Sequence, residues 1–456
     1  MSTFEYDVAI VGAGTAGCYA AATVSRAGYD VVVVERKSET EAGHIACGDA
    51  LKGADEFPQA IPKSEIADAF TNTAVDHGRF EIPQEEAVLD IPVPGEIAVI
   101  DRWKYGQLII EAAERAGADL HYDTVVQDVT QDAEGRVTGF EATKTGEART
   151  YEATVTLDGA GALSILQDRI DVDEATFDTN VRYSQFSSAY REILEVEEPV
   201  PWDDALVIKP TKRAAGYLWY FPRTPTEINV GLGFQMNEQP MQLVDDLRED
   251  LRNRPELRGA TVTDKLGAAL PTRRPYDSAT APGYMAIGDA AAHVNPISGG
   301  GIAGAAYAGQ YAGEQAIEAL EEGDVREETL WRYNERVMDH YGGRYAALDV
   351  YNIFSTAYDL DELLGLLAAL PGEPLSEALY SGSSTVGLGL KLKVLYESFG
   401  HWGTLKNLYE TKGLADRLFD HYEGYPTSPD GFDAWQADRD AIMDDVYAAT
   451  GAEAKY

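Results

Sequence analysis

Basic residues are scarce in this chain: 37 Lys and Arg stand against 77 Asp and Glu, a formal net charge of −40. That balance excludes a nucleic-acid binder, because neutralising phosphates takes basic residues in excess. It also excludes non-specific docking on anionic membranes, and any anionic ligand needs a locally basic pocket. Cysteine is scarcer still. Cys18 and Cys47 are the only two, which rules out a disulfide scaffold and a cysteine-rich metal site. No apolar run reaches the roughly 18 residues of a bilayer span, and the nearest approach, LLGLLAAL at 363–370, reads as a core helix. Internal repeats and low-complexity segments are also missing.

What is present is a normal globular composition. Apolar residues make up 45% of 456 and aromatics 10%, ample for two or three cored domains. The acid excess is spread along the chain. Such a molecule repels itself at low ionic strength, whereas at about 1 M salt the screening length falls to roughly 3 Å. The charge density therefore predicts a salt-rich, halophilic cytoplasm. The opening MSTFEYDVAIVGAGTAG enters a strand directly, so no signal peptide is expected.

The first 35 residues alternate strand, glycine turn, helix and strand, the start of a parallel α/β sheet. Prolines and acids break up residues 58–94, which read as an excursion. A helix capped by Asp101 follows, then strands near 120–126, 137–142 and 151–157. Residues 166–270 carry an alternating pattern and read as a second, mostly antiparallel unit. The α/β pattern returns at 284–287, with a helix from about 304 to 322. From residue 327 the chain reads as helical and is expected to cover the second unit.

Gly12, Gly14 and Gly17 form G-x-G-x-x-G between the first strand and helix, with Ala16 inside the loop. The glycines allow the tight turn, the approach of a diphosphate and close helix–strand packing, and the helix N-terminus faces the phosphates. Glu35, followed by Arg36, ends the second strand, where a carboxylate accepts from ribose hydroxyls. This fingerprint does not separate FAD from NAD. A second segment does: GDAAAHVNPISGGGIAGA, residues 288–305, follows a short apolar strand. It resembles the second FAD fingerprint of the flavoproteins related to p-hydroxybenzoate hydroxylase. That resemblance implies that Gly288 and Asp289 meet the ribityl chain and that Gly301 and Ile302 offer backbone groups to the flavin. It also implies that Asp158, in LDGAG, belongs to the intervening Asp-Gly motif, that Arg102 lies at the flavin face or diphosphate, and that Val126 sits beside the adenine. No second G-x-G-x-x-G is present, so electrons must come from an external donor: a ferredoxin-like protein, NAD(P)H or another reduced carrier.

Two further stretches, HIACGDAL at 44–51 and GYLWYFPRTPTEINVGLG at 216–233, together resemble the archaeal geranylgeranyl reductases (digeranylgeranylglycerophospholipid reductase family). The family's usual P-G-G-Y entry reads Ala214-Ala215-Gly216-Tyr217 here. The resemblance runs over about residues 5–325. It implies an α/β fold with an α+β substrate region. A Rossmann-like FAD-binding domain (1–70, 98–165, 271–325) would carry an inserted antiparallel substrate domain (71–97, 166–270) and a helical C-terminal region (326–456). It places Cys47 near the flavin as the catalytic candidate, with Gly48 and Asp49 beside it. Tyr217, Trp219 and Phe221 alternate along one strand face, with Pro222 next, and would wall an apolar tunnel for an isoprenoid lipid. Burying a twenty-carbon chain at about 0.8 kcal/mol per carbon gains on the order of 10 kcal/mol, enough to draw it from a membrane.

Lys209, Lys212, Arg213, Arg223, Arg273 and Arg274 are the cations available to a phosphorylated head group or to neighbouring acids. His44 and His293, near the flavin motifs, are candidate proton relays that read more readily as structural hydrogen-bonding groups, and Cys18 reads as a small buried hydrophobe. The implied activity is saturation of geranylgeranyl double bonds by a cytoplasmic enzyme in peripheral membrane contact. Two other activities suit the same fold: an aromatic-ring monooxygenase, and an electron-transfer flavoprotein reducing a quinone.

Overall fold

The computed structural model describes residues 2–52, 57–93, 95–171, 182–211, 215–236, 239, 241–358, 361–363, 365 and 402–456. Most of the 363–370 run, together with Lys212 and Arg213, lies outside the described residues.

The Val-rich strands form the centre of the first sheet, because a run buried on both faces suits a parallel sheet covered by helices. Ser2–Val11 pairs in parallel with Val31–Val34 on one side and Glu147–Asp158 on the other. Asp119–His121 and Tyr284–Ala286 extend the parallel order outward. Val137–Lys144 and Thr124–Gln131 add an antiparallel extension on Glu147–Asp158. Helix Thr15–Arg26 lies against helix Ile302–Glu322, and Gly309 permits this, since a Cβ there would run into the Ala16 carbonyl. The two glycine motifs, far apart in sequence, are joined through that contact.

The second sheet has seven strands in the order Thr261–Pro271, Phe186–Glu195, Glu227–Gln235, Gly216–Pro222, Ala205–Pro210, His77–Ile82 and Ala87–Pro92. All neighbours are antiparallel except Ala205–Pro210 with His77–Ile82. Residues 58–94 therefore do more than wander: their alternating stretches supply a hairpin to this sheet, despite the flanking prolines. One face packs Leu218, Tyr220, Ile228, Val230 and Leu232 under Leu243 and Leu247 of helix Gln242–Arg252. A third sheet, Ala50–Lys52, Ile97–Ile100 and Phe70–Asn72, lies between the two in the chain.

The C-terminal helices depart from expectation. Trp331, Tyr345, Leu418, Trp435 and Val446 belong to the same apolar core as the first sheet, so these helices cover the nucleotide unit and leave the second unit to its own helix. The physical reason is their aromatic content, which matches the face of helix Ile302–Glu322 and the strands behind it. The last residues reach into the seam: Lys455 is buried, and its ammonium donates to Asp349 (2.6 Å) and Asn352 (2.7 Å).

Candidate functional site

The glycine loop has the shape of an anion cradle. Gly12 sits at φ +94°, and a Cβ on it or on Gly17 would strike backbone oxygens of Gly159 or Gly12. Gly14 differs: a Cβ there would meet nothing within 4 Å, so the space in front of it is open. Helix Thr15–Arg26 starts at Gly14 without a side-chain cap, leaving its first N–H groups to an incoming ligand. Glu35 closes the loop from below, accepting from the Ala13 N–H (3.0 Å) and the Lys37 N–H (2.9 Å). Arg36 is exposed, and half-buried Val126 follows the Thr124 N–H that donates to the Glu35 carbonyl (2.9 Å).

Arg102 comes to this loop from helix Arg102–Ala116, whose N-cap Asp101 accepts from the Trp103 and Lys104 N–H groups. The guanidinium is buried. Nη2 reaches Thr15 Oγ1 at 3.3 Å, and Nη1 has no partner among the described residues. A buried, orphaned guanidinium nitrogen is costly unless a ligand completes it. Open space at Gly14, free helix N–H groups and the Arg102 orphan all fit the diphosphate of FAD.

The second motif meets the first directly. A Cβ on Gly288, at φ +62°, would lie 3.0 Å from the Ala16 methyl, and one on Gly301 would lie 3.5 Å from Asp289 Oδ1. Burial pushes the Asp289 carboxyl up to about 6, against the pull of Arg102. Ile302 begins the long helix, half-buried. Asp158 behaves otherwise. Its carboxylate accepts from Ser164 Oγ (2.6 Å), Tyr284 OH (2.7 Å) and the Ala160 N–H (3.0 Å), so it holds the 158–164 loop from within.

The Cys47 loop docks on the second sheet. Cys47 Sγ accepts from the Asp49 N–H at 3.2 Å. Burial, then the Asp49 charge, push its thiol up while Arg102 pulls it down, which leaves the sulfur protonated at neutral pH. A Cβ on Gly48 would sit 3.3 Å from the Phe221 ring and 3.4 Å from Trp219 Nε1. Trp219 and Phe221 are buried with Val75, Ile97, Val99 and Leu206, forming a packed patch behind the loop. Tyr217 stays half-buried, its hydroxyl donating to the Ser298 carbonyl at 2.6 Å, and so ties the second sheet to the glycine loop at 295–301. Burial, with Cys47 contributing, pushes its phenol up to about 12. Pro222 is buried, and its carbonyl accepts from Asn72 Nδ2 (2.9 Å).

Asp49 bonds to the second sheet. It accepts from Arg223 Nε (2.7 Å) and Asn229 Nδ2 (2.6 Å), both on the second sheet. Lys209 pairs with Asp250, Arg274 lies 3.5 Å from Asp277, and Arg273 donates to Gln185 (3.0 Å), so these cations serve the protein's own acids and amides. His44 bonds Asp264 (2.8 Å) and stacks on Trp103. His293 is fully buried, and among the described residues neither ring nitrogen finds a hydrogen-bond partner. Cys18 is buried on its helix as expected. Sequence reasoning missed Asn229 and Arg191. Asn229 was legible only as a buried polar residue between Ile228 and Val230, whereas Arg191, which pairs with Asp264, stands between Tyr190 and Glu192 and gave no signal.

The chain is 26% identical over 451 residues to the digeranylgeranylglycerophospholipid reductase of Sulfolobus acidocaldarius, covering 97% of this chain and 98% of that one. The enzyme of the same name from Methanothrix thermoacetophila is 29% identical over 407 residues, 86% and 98% of the two chains. Among solved structures, a geranylgeranyl bacteriochlorophyll reductase-like protein from Thermoplasma acidophilum shares the fold, with a TM-score of 0.74 at 22% identity over 90% of this chain and 100% of that one. The family model described as FAD binding domain matches residues 5–341, and the chain belongs to that family.

Proposed function

We propose that this chain is an FAD-dependent reductase that saturates double bonds in the geranylgeranyl chains of archaeal lipid precursors such as digeranylgeranylglyceryl phosphate. The observation that carries this reading is the contact between the Cys47–Asp49 loop and the Trp219–Phe221 strand. A thiol and an apolar aromatic patch stand together beside the cofactor cradle. Residues 1–70, 98–165 and 271–325 would hold FAD, residues 71–97 and 166–270 would meet the lipid, and 326–456 would support the first unit.

Reduced FAD, when bound, supplies a hydride. An isolated alkene has no carbonyl to polarise, so a proton must reach its less substituted carbon, and the protonated Cys47 thiol is the donor. Arg102 and the loop N–H groups hold the diphosphate, Glu35 holds the adenosine ribose, and Asp289 holds the ribityl hydroxyls. Trp219 and Phe221 back the thiol loop at Gly48, and Tyr217 ties the lipid-facing sheet to the cofactor loop through Ser298. Electrons come from a reduced carrier, a ferredoxin-like protein or NAD(P)H. Among the described residues no helix is long and apolar enough to cross a membrane, so the lipid would be reached by peripheral contact from the cytoplasmic face.

The test is anaerobic incubation of the chemically reduced holoenzyme with digeranylgeranylglyceryl phosphate, followed by mass spectrometry. A gain of two hydrogens per bond is expected, with Cys47→Ser keeping FAD and losing at least about 10-fold in rate. An unchanged lipid, with oxygen added to a phenol in air or with a quinone reduced instead, would overturn the reading.

A further inference from the structure

Asp49 is an unusual residue to find in a fully buried turn. It has a left-handed backbone (φ +68°), no exposed surface, and a carboxylate whose Oδ2 takes two short hydrogen bonds while Oδ1 takes none. Backbone strain and a desolvated charge each cost free energy, and they persist only where the surroundings enforce them. The enforcement comes from the second sheet. Asn229, also fully buried, donates through one amide nitrogen both to Asp49 Oδ2 and to the Cys47 carbonyl (2.8 Å), while its oxygen accepts from Trp219 Nε1 (2.9 Å). Arg223 donates to Asp49 and to Glu227 (3.1 Å), and its Nη2 lies 3.8 Å from Asp101, the cap of the helix that carries Arg102. The Asp49 N–H donates to the Cys47 sulfur, and the Asp49 carbonyl accepts from the Ile100 N–H (3.0 Å). Cys47 is thus gripped at its sulfur by Asp49 and at its carbonyl by Asn229, with a carboxyl two residues away that burial pushes up and the Arg223 guanidinium and Asn229 amide hold back down.

We infer that Asp49, Asn229 and Arg223 are positioning residues: they hold Cys47 at the junction of the cofactor loop and the aromatic strand and keep its sulfur as a neutral S–H donor. Asp49 repels a thiolate. Arg223 and Asn229 keep the Asp49 carboxylate in place, and Trp219 orients Asn229. Because Arg223 also faces Asp101, one guanidinium aligns the thiol loop and the Arg102 helix together. The groups facing Cys47 from other elements are Arg102, Arg191 and Tyr217, and both arginines favour the thiolate. Burial is the larger influence holding the thiol neutral and the Asp49 charge the next, so removing that charge leaves burial alone against both arginines and the Asp49 N–H.

This inference rests on the reductase reading for its purpose, but its test needs no isoprenoid, so the two fail separately. The holoenzyme with Cys18→Ser is treated with iodoacetamide from pH 6 to 10, and Cys47 alkylation is followed by mass spectrometry. Asp49→Asn is the partner variant, since asparagine tolerates the left-handed conformation and keeps the side-chain shape. The parent is expected to react only above the ordinary cysteine range, and Asp49→Asn to react at least about 10-fold faster at pH 7.5, the effect of lowering the thiol by one unit. Profiles that coincide at every pH, no reaction in either protein included, overturn the proposal. If Asp49→Asn fails to fold, the parent profile decides alone: half-maximal reactivity at or below about pH 8.5 overturns it, and above supports it.

Discussion

His293 shows most directly what burial does to one residue. Among the described residues neither ring nitrogen has a partner, the ring packs against Tyr333 and Tyr341, and burial pushes its pKa down to about 3. The unfolded chain protonates this imidazole near pH 6.5 and the folded one resists, so the unfolded state binds more protons as pH falls through 6.5. Stability is then intact above that pH and is lost progressively down towards pH 3. At pH 5 the native protein should lose about 2 kcal/mol more, relative to pH 7, than His293→Phe. Denaturant titrations of both proteins at the two pH values check this, and parallel losses would sink it. From sequence alone His293 read as a hydrogen-bonding group, because no pattern in GDAAAHVNP tells that the helices after residue 331 close over it. The partners of Asp158 and Asp49 were hidden for the same reason: their motifs locate the backbone, but tertiary contacts decide which groups each carboxylate accepts from.

At the scale of the element, two glycines separate a ligand's space from the protein's own packing. Gly14 has an ordinary φ and open space before it, so Gly14→Ala should leave the FAD-free fold within about 0.5 kcal/mol of the parent. The added methyl would occupy the diphosphate's approach, and FAD affinity should fall at least about 10-fold, some 1.4 kcal/mol. Gly231 is the contrary case. It lies beneath the Trp219 indole and against the Tyr190 carbonyl, and a Cβ would overlap both. Gly231→Ala should cost about 1–3 kcal/mol by overpacking and shift Trp219 off Asn229. Melting curves with flavin fluorescence titrations distinguish the two, and equal loss of stability in both variants would refute the distinction. The alternation of Tyr217, Trp219 and Phe221 was legible as one face of a strand. That the V-G-x-G segment exists to seat Trp219 was not, since the pairing of Trp219 with Gly231 is a cross-strand register.

Across the whole molecule, the charge of −40 should make stability depend steeply on salt. Exposed like charges repel over a Debye length of about 10 Å at 0.1 M, and this shrinks several-fold by 3 M. Thermal unfolding of the holoenzyme in KCl over that range should show a rising melting temperature, and a flat one would remove the halophilic inference while leaving the site chemistry intact. The buried pairs, Arg223 with Asp49 and Lys455 with Asp349, are shielded from solvent and should survive the change.

The sequence by itself determined the local matters. Glycines at fixed spacing after a valine strand dictate the phosphate loop, Asp101 and Gly117 begin and end their helix, and a period of two exposes one aromatic face. Each depends on residues within one turn or one strand, where backbone sterics and side-chain period suffice. The tertiary structure decided everything that needs two distant segments. The C-terminal helices covered the first unit, and Asn229 bonded Cys47 from 182 positions away. Such contacts are selected by burial and by hydrogen-bond completion over the whole chain, and a charged or polar residue takes the partner that desolvates it at least cost. That selection made Asp49 a clamp on the thiol loop.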